Sequence, residues 1–268
     1  MAIAVALLSL ALLAVATAWL RERHDATRLQ RQLDTASEEL QRLQQACARL
    51  APAGVVDRLV ADHVEEIGEL PPQRKEVTAL FADIVGYTAM SERLDAAVLA
   101  RVLNGYFQRM SDAIHQHRGH VSTFLGDGIL AYFGALQPNP WQSADAVRAA
   151  LAMRAAIADY NRELARDGLP ALGIGIGVHR GHGLAGLIGS RERMEYAFVG
   201  RTVNLAARVQ SLTRTHGVDI LVTDAVRNQL DPSFHLDAMP AERVKGIAEP
   251  VVTHAVRGRD ATPGATPS

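Results

Sequence analysis

The chain has 268 residues, 48% of them hydrophobic, enough for one sizeable core with appendages. A formal net charge of −1 offers no basic excess, so no nucleic-acid partner is expected. Cys47 is the one cysteine, which excludes an intrachain disulfide framework and fits a reducing compartment.

Residues 2–20, AIAVALLSLALLAVATAWL, carry no charge. As a helix at ~1.5 Å per residue they would reach about 28 Å, the depth of a bilayer core. The arginine-rich RERHDATRLQR follows, and the positive-inside rule then assigns the rest of the chain to the cytoplasm. The expectation is a single-pass anchor over 1–20 in the cell inner membrane. A cleaved signal peptide is the rival, because Ala16-Thr17-Ala18 resembles a cleavage site. Against it, only the amino terminus supplies positive charge ahead of the apolar run.

From 29 to 50, Leu29, Leu33, Ala36, Leu40, Leu43, Cys47 and Leu50 recur at alternating steps of 4 and 3. This is a heptad seam, and its strict period favours a parallel two-stranded coil over 21–50 rather than a helix packed on its own domain. Cys47 on the seam reads as a small apolar filler. Residues 51–73 form a linker, in which Ala51-Pro52-Ala53-Gly54 breaks the coil and Pro71-Pro72 ends a short helical run. The tail, 258–268, has the composition of a disordered end.

Between 74 and 257, strand-like and helix-like stretches alternate. EVTALFADIV reads as a buried strand ending near an acid. SERLDAAVLARVLNGYFQRMSDAIHQH reads as one long amphipathic helix, and GHVSTFLGDGILAYFG as a hairpin turning at Gly126-Asp127-Gly128. WQSADAVRAALAMRAAIADYNREL is a second long helix. LGIGIGVHRGHGLAGLIGS reads as strand, glycine-rich turn, strand. AFVG, the helix TVNLAARVQSLTRTH, the strand DILV, the helix TDAVRNQL and a strand pair within AERVKGIAEPVVTHAV complete the domain. The class is α+β with a mixed or antiparallel sheet.

Asp83 and Asp127 stand out by placement, one ending an apolar strand and one in a hairpin turn. A carboxylate at the end of a buried strand is costly without a partner. If the two strands are neighbours, the acids form an oxygen-rich site suited to Mg²⁺ or Mn²⁺ on a nucleotide's phosphates. Taken alone, Asp127 reads as ordinary turn chemistry. Backbone N–H groups at Gly86, Tyr87 and Thr88 could meet those phosphates. Asn204 and Arg208 are four apart on one helix face, a pair suited to a polar or anionic ligand, with Arg201 at the mouth of the same helix. His115, His117, His120, His179 and His182 fit no tight zinc spacing and read as turn or surface residues.

LFADIVGYT, FLGDGILAYFG, GIGVHRG, IGSRERMEYAFVGRTVNLAARV and VKGIAEPV together resemble the class III nucleotidyl cyclase domain, the adenylyl/guanylyl cyclase family, from about Lys75 to Val256. The resemblance implies a ferredoxin-like or palm-like sheet with flanking helices. It implies that Asp83 and Asp127, helped by the Ile84 carbonyl, hold two divalent ions. Asn204 matches the ribose-orienting asparagine, Arg208 the arginine facing the α-phosphate, and Lys245 the lysine on the terminal phosphates. It also implies a homodimer whose sites lie between two chains, a nucleoside triphosphate substrate, and a use for the coil in pairing the domains.

The pattern breaks at the base-selecting positions. Where the family's adenylyl cyclases usually carry lysine and aspartate, this chain has Thr123 and Arg201. Arginine only donates, whereas a threonine hydroxyl donates or accepts. Four alternatives stand: exchanged roles with ATP retained, a preference for GTP or a pyrimidine nucleotide, an Arg201 that grips Glu195 or a phosphate, and a catalytically silent domain. The expectation is ATP, cyclised to cyclic AMP with release of pyrophosphate. A diguanylate cyclase is set aside because the chain has no GGDEF-type signature.

Overall fold

The computed structural model describes residues 72–190, 194–247 and 249–260, all in the second of two units into which the chain divides, Gly54–Ser268. The expected anchor, coil, nearly all of the linker and the end of the tail lie outside the described residues. No described helix is long and apolar enough to cross a membrane.

The central strand is β1 (Gln73–Val85). Its alternate residues serve two different faces. Leu80, Ala82 and Ile84 enter the main core, while Val77 and Ala79 belong to a second cluster on the other face. Asp83 shares the parity of Val77 and Ala79, which assigns it to that second face. A short helix α1 (Tyr87–Ser91) follows β1, then α2 (Ala96–Gln116). In α2, Val102, Tyr106, Met110, Ala113 and Ile114 are buried, the three-and-four spacing of one helix face. The expected single helix over 91–117 is therefore broken, with Asp95 at the N-cap of the longer piece.

Strands β2 (His120–Leu125) and β3 (Gly128–Phe133) form the hairpin, and β3 pairs antiparallel with β1. Helix α3 (Gln142–Arg166) runs back beneath the sheet against α2, and Met153, Ile157 and Tyr160 enter the main core. Within α3, Asp145 is almost fully buried and receives Arg118, Arg148 and Asn139.

Strand β4 (Gly173–Gly189) pairs antiparallel with β1 along its length. The expected strand, turn, strand is instead one 17-residue strand. Its glycines serve a close approach rather than a turn. A Cβ at Gly177 would fall on the backbone of Ala206 and Gln210, and one at Gly175 on Thr213 Oγ1. Helix α4 (Arg201–His216) can thus lie directly on β4.

Strand β5 (Met194–Val199) pairs with the far end of β4. Then come β6 (Ile220–Thr223), the short α5 (Asp224–Arg227), β7 (Phe234–Ala238) and β8 (Thr253–Arg259). The strand order is β2-β3-β1-β4-β6-β8-β7, with β5 beside β4, and only β4–β6 is parallel. The expected strand pair at the end is corrected in one respect. The partners of β8 are β6 and β7, and among the described residues of 241–250 the pairing is a single bridge between Glu242 and Val251.

Candidate active site

Two of the sequence-predicted residues meet at one end of β1. The β1–β3 register, with Ala82 opposite Ile129, brings the β2–β3 turn beside the strand end. Gly126 turns the chain with φ 64°, a conformation glycine adopts freely. Asp127 follows it, partly buried, and its carboxyl hydrogen-bonds that of Asp83. Asp83 is pushed up to about 6, first by burial, then by the hydrogen bond and charge of Asp127, with Arg214 acting in the opposite sense. The Asp83 carboxylate also accepts from a backbone N–H at Ile84.

This crowding is the test of whether a cation belongs here. Two carboxyl groups in hydrogen-bond contact repel once both ionise, and a divalent ion between them removes the conflict. Their oxygens are hard donors, the kind Mg²⁺ and Mn²⁺ take. Among the described residues no three His, Cys, Asp or Glu gather as a metal group, so further ligands would come from backbone and substrate oxygens. His120 and His179 are pushed down to about 4 by burial, and His179 Nδ1 lies 2.9 Å from Thr223 Oγ1.

Sequence reasoning missed two residues beside this pair. Tyr106 in α2 is fully buried, and its hydroxyl has no hydrogen-bond partner. Burial, then the charges of Asp83 and Asp127, raise its pKa. A tyrosine on the apolar face of a helix gave no local signal of a neighbouring acid. Arg214, near the end of α4, donates from Nη2 to Asp83 Oδ2 at 3.0 Å. Nothing in its neighbouring sequence pointed to that contact.

A second group assembles on α4. Asn204 is exposed and Arg208 half-buried along the helix. Lys245 stands at the tip of a turn closed by Ile247 N–H to Val244 O at 3.2 Å. Val244 and Ile247 pack with Leu205 and Leu212 of α4 around Val209, which pins the turn on the helix. A Cβ on Gly246 would lie 3.6 Å from Arg208 Nη2, so the arginine and the lysine turn are neighbours. Among the described residues, Asn204, Arg208 and Lys245 make no side-chain hydrogen bond or ion pair with one another or with the two aspartates.

Gly86 caps α1 in a left-handed conformation, φ 77°. Tyr87 packs against the main core, and the Thr88 carbonyl accepts from Ser91 Oγ. Thr123 is partly buried in β2, beside a register shift, and Arg201 is exposed at the first position of α4. No described contact joins Thr123 to Arg201.

The profile of the adenylate and guanylate cyclase catalytic domain matches residues 70–258. The chain belongs to this family. An adenylate cyclase of Anabaena cylindrica is 31% identical over 232 residues, 84% of this chain and 45% of the relative. Adenylate cyclase 1 of Rhizobium meliloti is 30% identical over 173 residues, 65% of this chain and 26% of the relative. The chain thus spans less than half the length of these two. Among solved structures, the guanylyl cyclase Cya2 superposes with TM-score 0.68 at 32% identity, covering 72% of this chain and 97% of that one. The adenylyl cyclase CyaB from P. aeruginosa gives 0.67 at 28%, with 71% and 97% covered. The cyclase domain here has the mixed α+β sheet with flanking helices of that family. Its two residue groups occupy separate places, the carboxylates at the end of β1 and the donors on α4 with the Lys245 turn.

Proposed function

We propose that this protein is a membrane-anchored homodimeric nucleotidyl cyclase that converts ATP to 3′,5′-cyclic AMP and pyrophosphate in intracellular signalling. The observation that carries the reading is the convergence of Asp83 and Asp127, two acids in contact with a shortage of positive charge.

Asp83, Asp127 and the Ile84 carbonyl would hold two Mg²⁺ or Mn²⁺ ions, whose chemistry when bound is to activate the ribose 3′-oxygen and neutralise the triphosphate. Asn204 orients the ribose. Arg208 stabilises the negative charge that develops at the α-phosphate during in-line attack, and Lys245 grips the terminal phosphates. The backbone N–H groups of Gly86, Tyr87 and Thr88 lie at the strand end where phosphates would approach. No protein nucleophile is required.

The separation of carboxylates from donors within one chain supports a homodimer. Each site would combine the aspartates of one protomer with the asparagine, arginine and lysine of the other. The heptads of 21–50 would hold the domains in register, and residues 1–20 would anchor them to the cell inner membrane with the catalytic domain cytoplasmic. The proposed divisions are those of the sequence, anchor 1–20, coil 21–50, linker 51–73, cyclase domain 74–257 and tail 258–268, corrected at the domain's edges, where β1 begins at Gln73 and β8 runs on to Arg259.

A second reading has its own observation. Arg201 is exposed, donates only, and makes no side-chain hydrogen bond or ion pair among the described residues, so its donors can meet O6 of guanine or O2 and O4 of a pyrimidine. The test is a substrate panel. The full-length protein is incubated with Mn²⁺ or Mg²⁺ and separately with ATP, GTP, CTP and UTP, and products are identified by mass spectrometry. Cyclic AMP from ATP, absent in Asp83→Ala, is the expected result. A different cyclic nucleotide makes Arg201 the specificity residue. No product from a dimeric preparation refutes the catalytic reading and leaves a nucleotide-binding dimer.

A further inference from the structure

Asp83 has one positive neighbour in this structure, and it comes from α4. Arg214 Nη2 lies 3.0 Å from Asp83 Oδ2. The contact follows from register. Asp83 stands opposite Gly175 of β4, and Gly175 is where Gln210 and Thr213 of α4 come down on the sheet with no side chain between. Arg214 is next in the chain, so its guanidinium overhangs the end of β1.

We infer that Arg214 is a tethered cation that occupies the Asp83–Asp127 site in the metal-free protein and competes with divalent ions for it. This rests on the reading of the two aspartates as the cation site. The competition is for one atom, since Oδ2 cannot give the same lone pair to a guanidinium and to a metal. It is also electrostatic, because a fixed positive charge beside the carboxylates opposes the arrival of another cation. Arg214 can leave. Its side chain is 55% exposed against 24% for Asp83, so swinging out returns it to water at little cost.

A purely structural ion pair would look different. Asp145 receives donors on both of its oxygens, whereas Asp83 receives one guanidinium nitrogen and faces a second carboxyl. Arg214 relieves that conflict only in part. The arrangement also links the two groups of site residues. The helix that carries Asn204 and Arg208 is tied at its far end to the cation site of its own chain, and occupancy by metal would free that end.

The test measures Mn²⁺ binding directly, without nucleotide, by electron paramagnetic resonance of free Mn²⁺. It uses the full-length chain in detergent and compares wild type, Arg214→Ala, Arg214→Lys and Asp83→Ala. Arg214→Ala should bind Mn²⁺ about two- to tenfold more tightly than wild type. Arg214→Lys, which keeps a cation but loses the fork, should fall between. Asp83→Ala should lose the site. The rise in melting temperature on adding Mn²⁺ should be larger for Arg214→Ala than for wild type, and the metal-free melt shows whether each variant is folded. Binding that depends on Asp83 but is equal or weaker in both Arg214 variants overturns the competition and leaves the metal reading intact. No Asp83-dependent binding in any variant overturns both.

Discussion

Asp145 and Asp83 are both carboxylates within the domain, and they are treated in opposite ways. Asp145, on α3, has a side chain only 3% exposed, and burial alone would raise its pKa. Hydrogen bonds from Arg118, Asn139 and Arg148 outweigh burial and hold it below the usual carboxylate range. Asp83 has the more exposed side chain yet sits higher, raised first by burial and then by the hydrogen bond and charge of the acid beside it, with Arg214 and the Ile84 N–H acting in the opposite sense. An acid with a complete set of donors is part of the scaffold. An acid facing its own kind keeps an electrostatic demand that one arginine meets only in part and that an incoming cation would complete. Exposure does not separate the two; the sign of the neighbours does.

Removing each acid in turn should have opposite consequences. Asp83→Ala or Asp127→Ala should lower cyclase activity by at least about a hundredfold, with no loss of melting temperature, because a like-charge conflict is removed. Asp145→Ala should do the reverse. It leaves the partly buried Arg148 and Asn139 without their acceptor and should cost roughly 2 kcal/mol in a denaturant titration, with specific activity of the folded fraction unchanged. A loss of stability at Asp83, or of catalysis alone at Asp145, would end the distinction.

The next effect is on the link between the two groups. Gly177→Ala places a methyl group on the backbone of α4 at Ala206 and Gln210. Overpacking of this kind costs about 1–3 kcal/mol. It should also lower activity, since α4 carries Asn204 and Arg208, whereas Asp145→Ala should not. Thermal melts with assays well below the transition separate the two contributions.

These variants mark what the sequence could and could not show. LFADIVGYT and FLGDGIL were legible because an acid after an apolar strand, and an acid in a glycine turn, are local patterns. Asn204 and Arg208 could be placed on one helix face by their spacing, but their roles, and Lys245 itself, came only from the resemblance to the cyclase family. The continuity of β4 was not, because GHG reads as a turn unless a helix is known to lie on that strand. Arg214 was invisible because its partner is 131 positions away and the contact depends on the register of two strands. Asp145 looked like any polar residue of an amphipathic helix. Its donors come from elsewhere, including Arg118, the one described non-glycine residue with a positive φ.

A smaller effect appears with pH. His120 and His179 titrate near 4 in the fold against an ordinary 6.5, because burial disfavours the charged imidazolium. For a depressed pKa, the stability they contribute is complete above 6.5 and is lost as pH falls toward about 4, since the unfolded chain takes up protons first. Asp83 has the opposite sign. Its raised pKa gives stability that is present at low pH and lost as pH rises through about 6 in the metal-free protein. Melting temperature of the metal-free chain should therefore fall on acidification, and His179→Gln should flatten the slope. Mn²⁺ affinity should weaken below about pH 6, because the ion must then displace a proton from Asp83.

The comparison extends finally from acids to arginines. Arg118 and Arg148 are committed to Asp145, while Arg201 has no partner among the described residues. A guanidinium held by a buried carboxylate has its position fixed by that partner, whereas an uncommitted one can turn its whole fork of donors to whatever docks beside it. If Arg201 faces the base, its donors should penalise the amino group of adenine less when Thr123 supplies the matching acceptor. Replacing the pair by Thr123→Lys with Arg201→Asp should then raise the ratio of kcat/KM for ATP over GTP by roughly tenfold, the size of one good base-edge contact. Arg201→Asp alone should raise it less, because aspartate accepts from N6 but Thr123 need not then donate to N1. The same substitutions should leave Mn²⁺ binding unchanged, which separates reading of the base from assembly of the cation site. An unchanged ratio in the double variant would move Arg201 off the base and onto a phosphate or the β5 segment.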